Sequence, residues 1–155
     1  MRRFLMMLLL LGSLSGAAAA DTPSGHIVKV LPLFLNQKGQ DALSPSLYDR
    51  DAYQVYLRAH TNEISAIRFD VLWHVSHAGG APLKLRLELR GVGSDNLPRQ
   101  TTLEQVVTPH FFRHWTSLPL VGDDYRNFGD VVAWRATLWS GDRMLGEQES
   151  FLWRI

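Results

Sequence analysis

The chain has 155 residues, no cysteine, and 16 basic against 15 acidic side chains, for a formal net charge of +1. That composition excludes disulfides, thiolate zinc sites, iron–sulfur clusters and cysteine nucleophiles, and it offers no basic stripe for a nucleic-acid backbone. Its five Trp and seven Phe suit strands and buried sheet faces.

Met1-Arg2-Arg3 precedes an uncharged apolar run over residues 4–11 and a small-residue zone that ends at Ala18-Ala19-Ala20. This is the pattern of a cleavable signal peptide, with Asp21 as the new N-terminus. The apolar run is too short to cross a bilayer, which needs ~20 apolar residues. Arg2-Arg3 invites a twin-arginine reading, whereas the leucine-rich core favours general secretory export. Without a cysteine, lipid attachment at the cleavage point is impossible. The expectation is a signal peptide at 1–20 and a single periplasmic or secreted domain at 21–155, with no membrane span after removal of the signal.

Residues 26–35 are rich in branched and apolar side chains and contain Pro32, which predicts an N-terminal edge strand. A polar turn follows over 36–41. Residues 44–59 predict a helix, with Ser44 as N-cap, Pro45 at the first helical position, acids early and Arg58 late. Tyr48, Ala52, Val55, Tyr56 and Ala59 share one face, which is expected to pack on the rest of the domain.

Ile67, Phe69, Val71, Trp73 and Val75 alternate with Arg68, Asp70, Leu72 and His74, and Leu83, Leu85, Leu87 and Leu89 alternate with Lys84, Arg86, Glu88 and Arg90. Both segments predict strands with one buried face. The short Gly-rich link between them predicts an antiparallel hairpin. A loop is expected over 91–99, strands over 101–108 and 111–120, and a turn or single helical turn over 122–129. Residues 132–139 predict a strand that returns through Ser140-Gly141-Asp142-Arg143 into residues 144–155. The last strand keeps no single parity, and Gly146 is the expected position of a bulge that switches faces.

This succession of short strands, tight turns and one helix predicts a mainly β protein. It resembles an immunoglobulin-like or fibronectin-type antiparallel sandwich with one helix inserted after the first strand. The resemblance is architectural, since the Cys–Trp–Cys signature of immunoglobulin domains is absent.

For chemistry, the histidines come first. His74 and His77 should point to opposite faces of a strand end. His110 and His114, on a strand, should lie ~13 Å apart, too far to share an ion. Neither a nucleophile elbow, a zinc-protease motif, a phosphate loop nor a calcium loop occurs. Asp123-Asp124 and the Glu147/Glu149 pair match a solvated turn and a polar strand face. The expectation is therefore no enzyme, no metal and no cofactor. Trp73 and Trp134 are in phase with core positions, whereas Trp139 is on the other face and Trp115 adjoins Arg113 and His114. Trp115, Trp139, Arg113 and His114 are the candidate ligand-binding residues, because an exposed Trp stacks on a sugar ring or anchors a partner. The resulting expectation is an exported non-catalytic interaction, structural or accessory module, with a protein or a glycan of the cell envelope as partner. The alternative is a carbohydrate-binding domain built on exposed tryptophans.

Overall fold

The structure is a computed structural model that describes residues 22–78 and 80–155, so the expected export segment lies outside the described residues. In chain order the elements are β1 (Ser24–Asn36), α1 (Leu47–Ala59), β2 (Ile64–His77), β3 (Leu83–Val92), β4 (Pro98–Val107), β5 (His114–Val121), α2 (Gly122–Phe128), β6 (Asp130–Ser140) and β7 (Arg143–Glu149). Single 3₁₀ turns follow α1 and β7, at Thr61–Glu63 and Phe151–Trp153. The strands form a three-stranded sheet of order β1-β2-β5 and a four-stranded sheet of order β4-β3-β6-β7, with every pairing antiparallel.

The inner faces of both sheets supply the core. Phe69, Val71 and Trp73 of β2 and Leu118 and Leu120 of β5 meet Leu83, Leu85, Leu87 and Leu89 of β3 and Ala136 and Leu138 of β6. Full burial of each such leucine contributes about 1.5–3 kcal/mol. The Trp73 indole N–H, buried with its ring, donates to Thr116 Oγ1 at 2.9 Å, so the core keeps no unpaired polar atom there.

The inward parity of β2 and β3 is as the alternation predicts, but the two do not form a hairpin. They belong to opposite sheets, and their apolar faces meet across the core instead of lying side by side. Period-two alternation fixes which face of a strand is buried and says nothing about which strand is its hydrogen-bonded neighbour. The partners of β3 are β4 and β6.

β1 is an edge strand, as Pro32 predicts. At its start it passes close to β7, where a side chain at Gly146 would bring a Cβ to 2.8 Å from the His26 Cα. Beside Gly146, Leu145 is the extra residue of a register shift, since Gly146 pairs with Leu138 and Met144 with Trp139. β7 stops at Glu149, so the last residues of the expected strand are a 3₁₀ turn. At the corner between α2 and β6, Gly129 holds φ 81°, and a Cβ there would lie 2.3 Å from the Val92 carbonyl oxygen.

α1 departs from expectation in two ways. Its N-cap is Ser46, whose Oγ accepts from the Asp49 N–H at 3.4 Å, whereas Ser44 donates to the Asp49 carboxylate. Its orientation is also reversed. The side toward the protein carries Gln54 and Leu57, both buried, while Tyr48, Ala52, Val55, Tyr56 and Ala59 face solvent. Gln54 explains the choice. Its Oε1 accepts from the Phe34 N–H at 2.8 Å, and its Nε2 donates to the carbonyls of Phe34 and Asp41, both at 2.9 Å. A side-chain amide thereby satisfies both backbone groups of one residue on the open β1 edge, which would otherwise invite another strand.

Candidate functional site

Five of the six histidines collect at one end of the sandwich. His26 opens β1, His74 and His77 close β2, His110 is in the loop before β5, and His114 begins β5. The pairing register makes this inevitable, because His26 stands opposite His74 and Trp73 opposite His114.

The loop over residues 108–113 sets the geometry. Pro109 supplies no N–H and ends the β4 ladder, and strand structure resumes only at His114. The chain reverses enough to stack His110 on His114, with ring centroids 4.1 Å apart and 22° between planes. The extended spacing expected for these two residues does not apply, because the segment between them is a loop and not a strand. The His114 ring in turn meets the Trp73 indole edge-on at 6.0 Å, which makes a file of three rings from surface to core. Among the described residues, no group of three or more His, Asp or Glu is placed to hold a metal ion.

At the loop tip Phe111 and Phe112 are 88% and 76% exposed and meet edge-to-face at 5.0 Å. Trp115 is exposed beside them in sequence, and Val106 is exposed at the end of β4. Arg113 and His114 are exposed as well. Between Glu104 and Asp123 the chain carries no acidic residue, so along the chain the ionisable neighbours of the aromatic tip are His110, Arg113 and His114. Two clefts adjoin His110. One, of about 470 Å³, is lined by His74, Val75, Ser76, Ala78, Pro109, His110 and Phe111. The other, of about 220 Å³, includes Trp73, His114 and Thr116 in its walls. The Nδ1 of His74 is buried without a hydrogen-bond partner among the described residues.

Of the residues singled out from sequence, Arg113, His114 and Trp115 belong to this end of the molecule. Trp139 does not join them. It pairs with Lys84 and Met144 on the outer face of the four-stranded sheet, while Trp115 stands opposite Leu72 on the outer face of the other sheet. The two tryptophans therefore form no common platform. Trp139 is also engaged, its N–H donating to Thr137 Oγ1 at 2.9 Å and its ring lying 5.3 Å from the Arg86 guanidinium. On the same face, Trp153 lies under Arg90 at 3.9 Å and Arg135 at 5.1 Å.

Phe111 and Phe112 do not stand out as site residues in the sequence, because they fall at the start of the strand expected over 111–120, and His110 stands out only as a candidate metal ligand. A signal was present in the sequence. Two consecutive bulky aromatics on a strand point to opposite faces, so in a half-buried strand one of them must face water. Following Pro109, that is the mark of a loop.

Several carboxylates elsewhere are held in ion pairs. Asp70 accepts both prongs of Arg68 at 2.8 and 2.9 Å and takes the Ser117 hydroxyl at 2.6 Å. Burial works against the Arg68 charge, but its hydrogen bonds to Asp70 and the nearby Asp41 raise its pKa on balance. Glu104 bonds Arg86 and Lys84, and these hold its carboxyl below the ordinary range. Glu88 accepts twice from Arg135, at 2.9 and 2.7 Å.

No protein-family model matches this chain, and no curated protein or solved structure matches it at a significant level. Among the described residues no helix is long and apolar enough to cross a membrane.

Proposed function

We propose that this chain is an exported, non-catalytic interaction module of the cell envelope, and that it engages a protein partner through the aromatic end formed by the loop before β5. The observation that carries the reading is the pair of exposed phenylalanines at the loop tip, with Arg113, His114 and Trp115 beside them. Large aromatics gain most when a partner covers them, and Arg is the charged residue most enriched at interaction hot spots. The non-catalytic reading is supported by the engagement of Asp70, Glu88 and Glu104 with arginines, which leaves these carboxylates in structural roles.

The immunoglobulin-like or fibronectin type is part of the same proposal. Lettered A, B, C, C′, E, F and G in chain order, the strands fall as A-B-E and C′-C-F-G. Adjacent C, F and G strands in one sheet are the arrangement of seven-stranded interaction sandwiches. The helix between A and B is this chain's own addition.

The test is capture from native envelope extract in parallel with a panel of polysaccharides. The expected result is a protein partner retained by the parent chain and lost by a Phe111→Ser/Phe112→Ser variant whose melting curve is unchanged. Equal retention by that variant overturns the role of the loop. Retention of a polysaccharide that Trp115→Ala abolishes replaces the protein partner with a glycan.

A further inference from the structure

The solvent face of α1 is patterned as one half of a helix pair. Tyr48, Ala52, Val55 and Ala59 are separated by four, three and four residues, and all are exposed. That spacing is the a/d repeat of a two-helix seam. With Ala52 and Ala59 as a positions and Tyr48 and Val55 as d positions, Arg50, Tyr53, Gln54 and Leu57 take the b, c and f positions. Gln54 and Leu57 are buried, and Arg50 and Tyr53 half-buried, against the helix's own sheet. The seam is therefore left over once the intramolecular contacts have been made, and its largest members, Tyr48 and Val55, are 83% and 63% exposed.

The charges on its flank say what fits it. Asp51, 72% exposed although it accepts from Arg50 at 3.1 Å, and Arg58, exposed with its guanidinium 5.9 Å from the Phe34 ring, lie seven residues apart, so they occupy the same flanking position, g, in successive heptads. In a parallel helix pair a g residue meets an e residue of the other helix. In an antiparallel pair it meets a g residue. A helix with Asp at one g and Arg at the next is thus complementary to an antiparallel copy of itself. The sizes agree with the charges. When Asp51 faces Arg58 of the second copy, the layers of the seam set Ala52 against Val55 and Tyr48 against Ala59, so each large side chain meets an alanine. The helix ends agree as well, because antiparallel packing sets each N-terminus beside the C-terminus of the other helix.

The geometry points to a second copy of this chain as the occupant of the α1 face, in an isologous, two-fold dimer with the helices antiparallel. The seam spans one helix of 13 residues, much less than a standard interface, so association is weak and concentration-dependent. It leaves the aromatic end of the molecule free, and each dimer presents two such ends to partners.

Sedimentation velocity on the purified protein, over a concentration series from micromolar to near-millimolar, tests this. The parent chain should move from monomer to dimer across the series. Asp51→Arg alone and Arg58→Asp alone should each weaken dimerisation roughly tenfold, by setting like charges together at both flanking contacts. The double swap should restore the dimer. An equimolar mixture of the two single variants should restore it too, as a heterodimer, because only antiparallel g–g contacts become complementary on mixing. Val55→Asp should abolish the dimer with its melting curve intact. A parent chain that stays monomeric throughout overturns the proposal. So does a dimer indifferent to Val55→Asp, or single variants that weaken it without rescue on mixing.

Discussion

β3 and α1 are both amphipathic, yet they select their buried side by different rules. β3 lies between β4 and β6, with both edges of its backbone taken up by the sheet. Only side-chain character is left to sort its two faces, and Leu83, Leu85, Leu87 and Leu89 go in while Lys84, Arg86 and Glu88 meet their ion-pair partners outside. α1 instead docks beside β1, an edge strand whose Phe34 N–H and C=O bond the Gln54 side chain. Leaving a buried backbone group unpaired costs about 1–3 kcal/mol. Burying one valine gains about 1.5–3 kcal/mol. Gln54 satisfies both Phe34 groups at once and brings Leu57 in with it, so together they outweigh the exposure of Val55 on the far side. An edge strand thus imposes a polar requirement on whatever covers it, and a central strand does not.

The sharpest test of this contrast is a leucine of β3. Leu87→Ala should cost about 2–5 kcal/mol through lost transfer energy and a cavity, read by chemical denaturation. Next comes Gln54→Leu, a change that raises hydrophobicity on the buried side of α1. It should nonetheless destabilise by about 1–3 kcal/mol, because the Phe34 amide and carbonyl lose their partner. A Gln54→Leu chain as stable as the parent would break the comparison and return hydrophobicity to first place in both elements.

Val55→Asp should shift monomer stability by no more than about 0.5 kcal/mol, as exposed positions do, when measured below the concentration at which copies associate. The smallest effect belongs to the outer face of β3. Arg86, then Lys84, hydrogen-bond the Glu104 carboxylate and depress its pKa. A depressed acid contributes its stability above the pKa of the unfolded chain and loses it as pH falls through the folded value. The small melting-temperature difference between the parent and Glu104→Gln should therefore be present at neutral pH and vanish on acidification below the carboxylate range.

Residue patterning made the strand faces legible. It set Phe69, Val71, Trp73 and the four β3 leucines inward, and it marked β1 as an edge through Pro32. It also marked the end of β7 as irregular and placed Trp139 on an outer face. Those properties follow from the chemistry of each residue and its nearest neighbours along the chain, so sequence alone determined them. Pairing did not follow. β2 and β3 face one another across the core because the link between them crosses from one sheet to the other, and alternation is identical for strands that pair and strands that face. Nor did the reversal of α1, since the need of the Phe34 backbone exists only once β1 is an edge and the helix lies along it. The aromatic end was half legible. Arg113, His114 and Trp115 stand out, whereas the strand expected over 111–120 hides Phe111 and Phe112, and His26 and His74 meet only through a register between segments far apart in the chain. Tertiary structure decided each of these for one physical reason: a backbone hydrogen bond is satisfied by whatever comes within about 3 Å in space, whatever its distance along the chain.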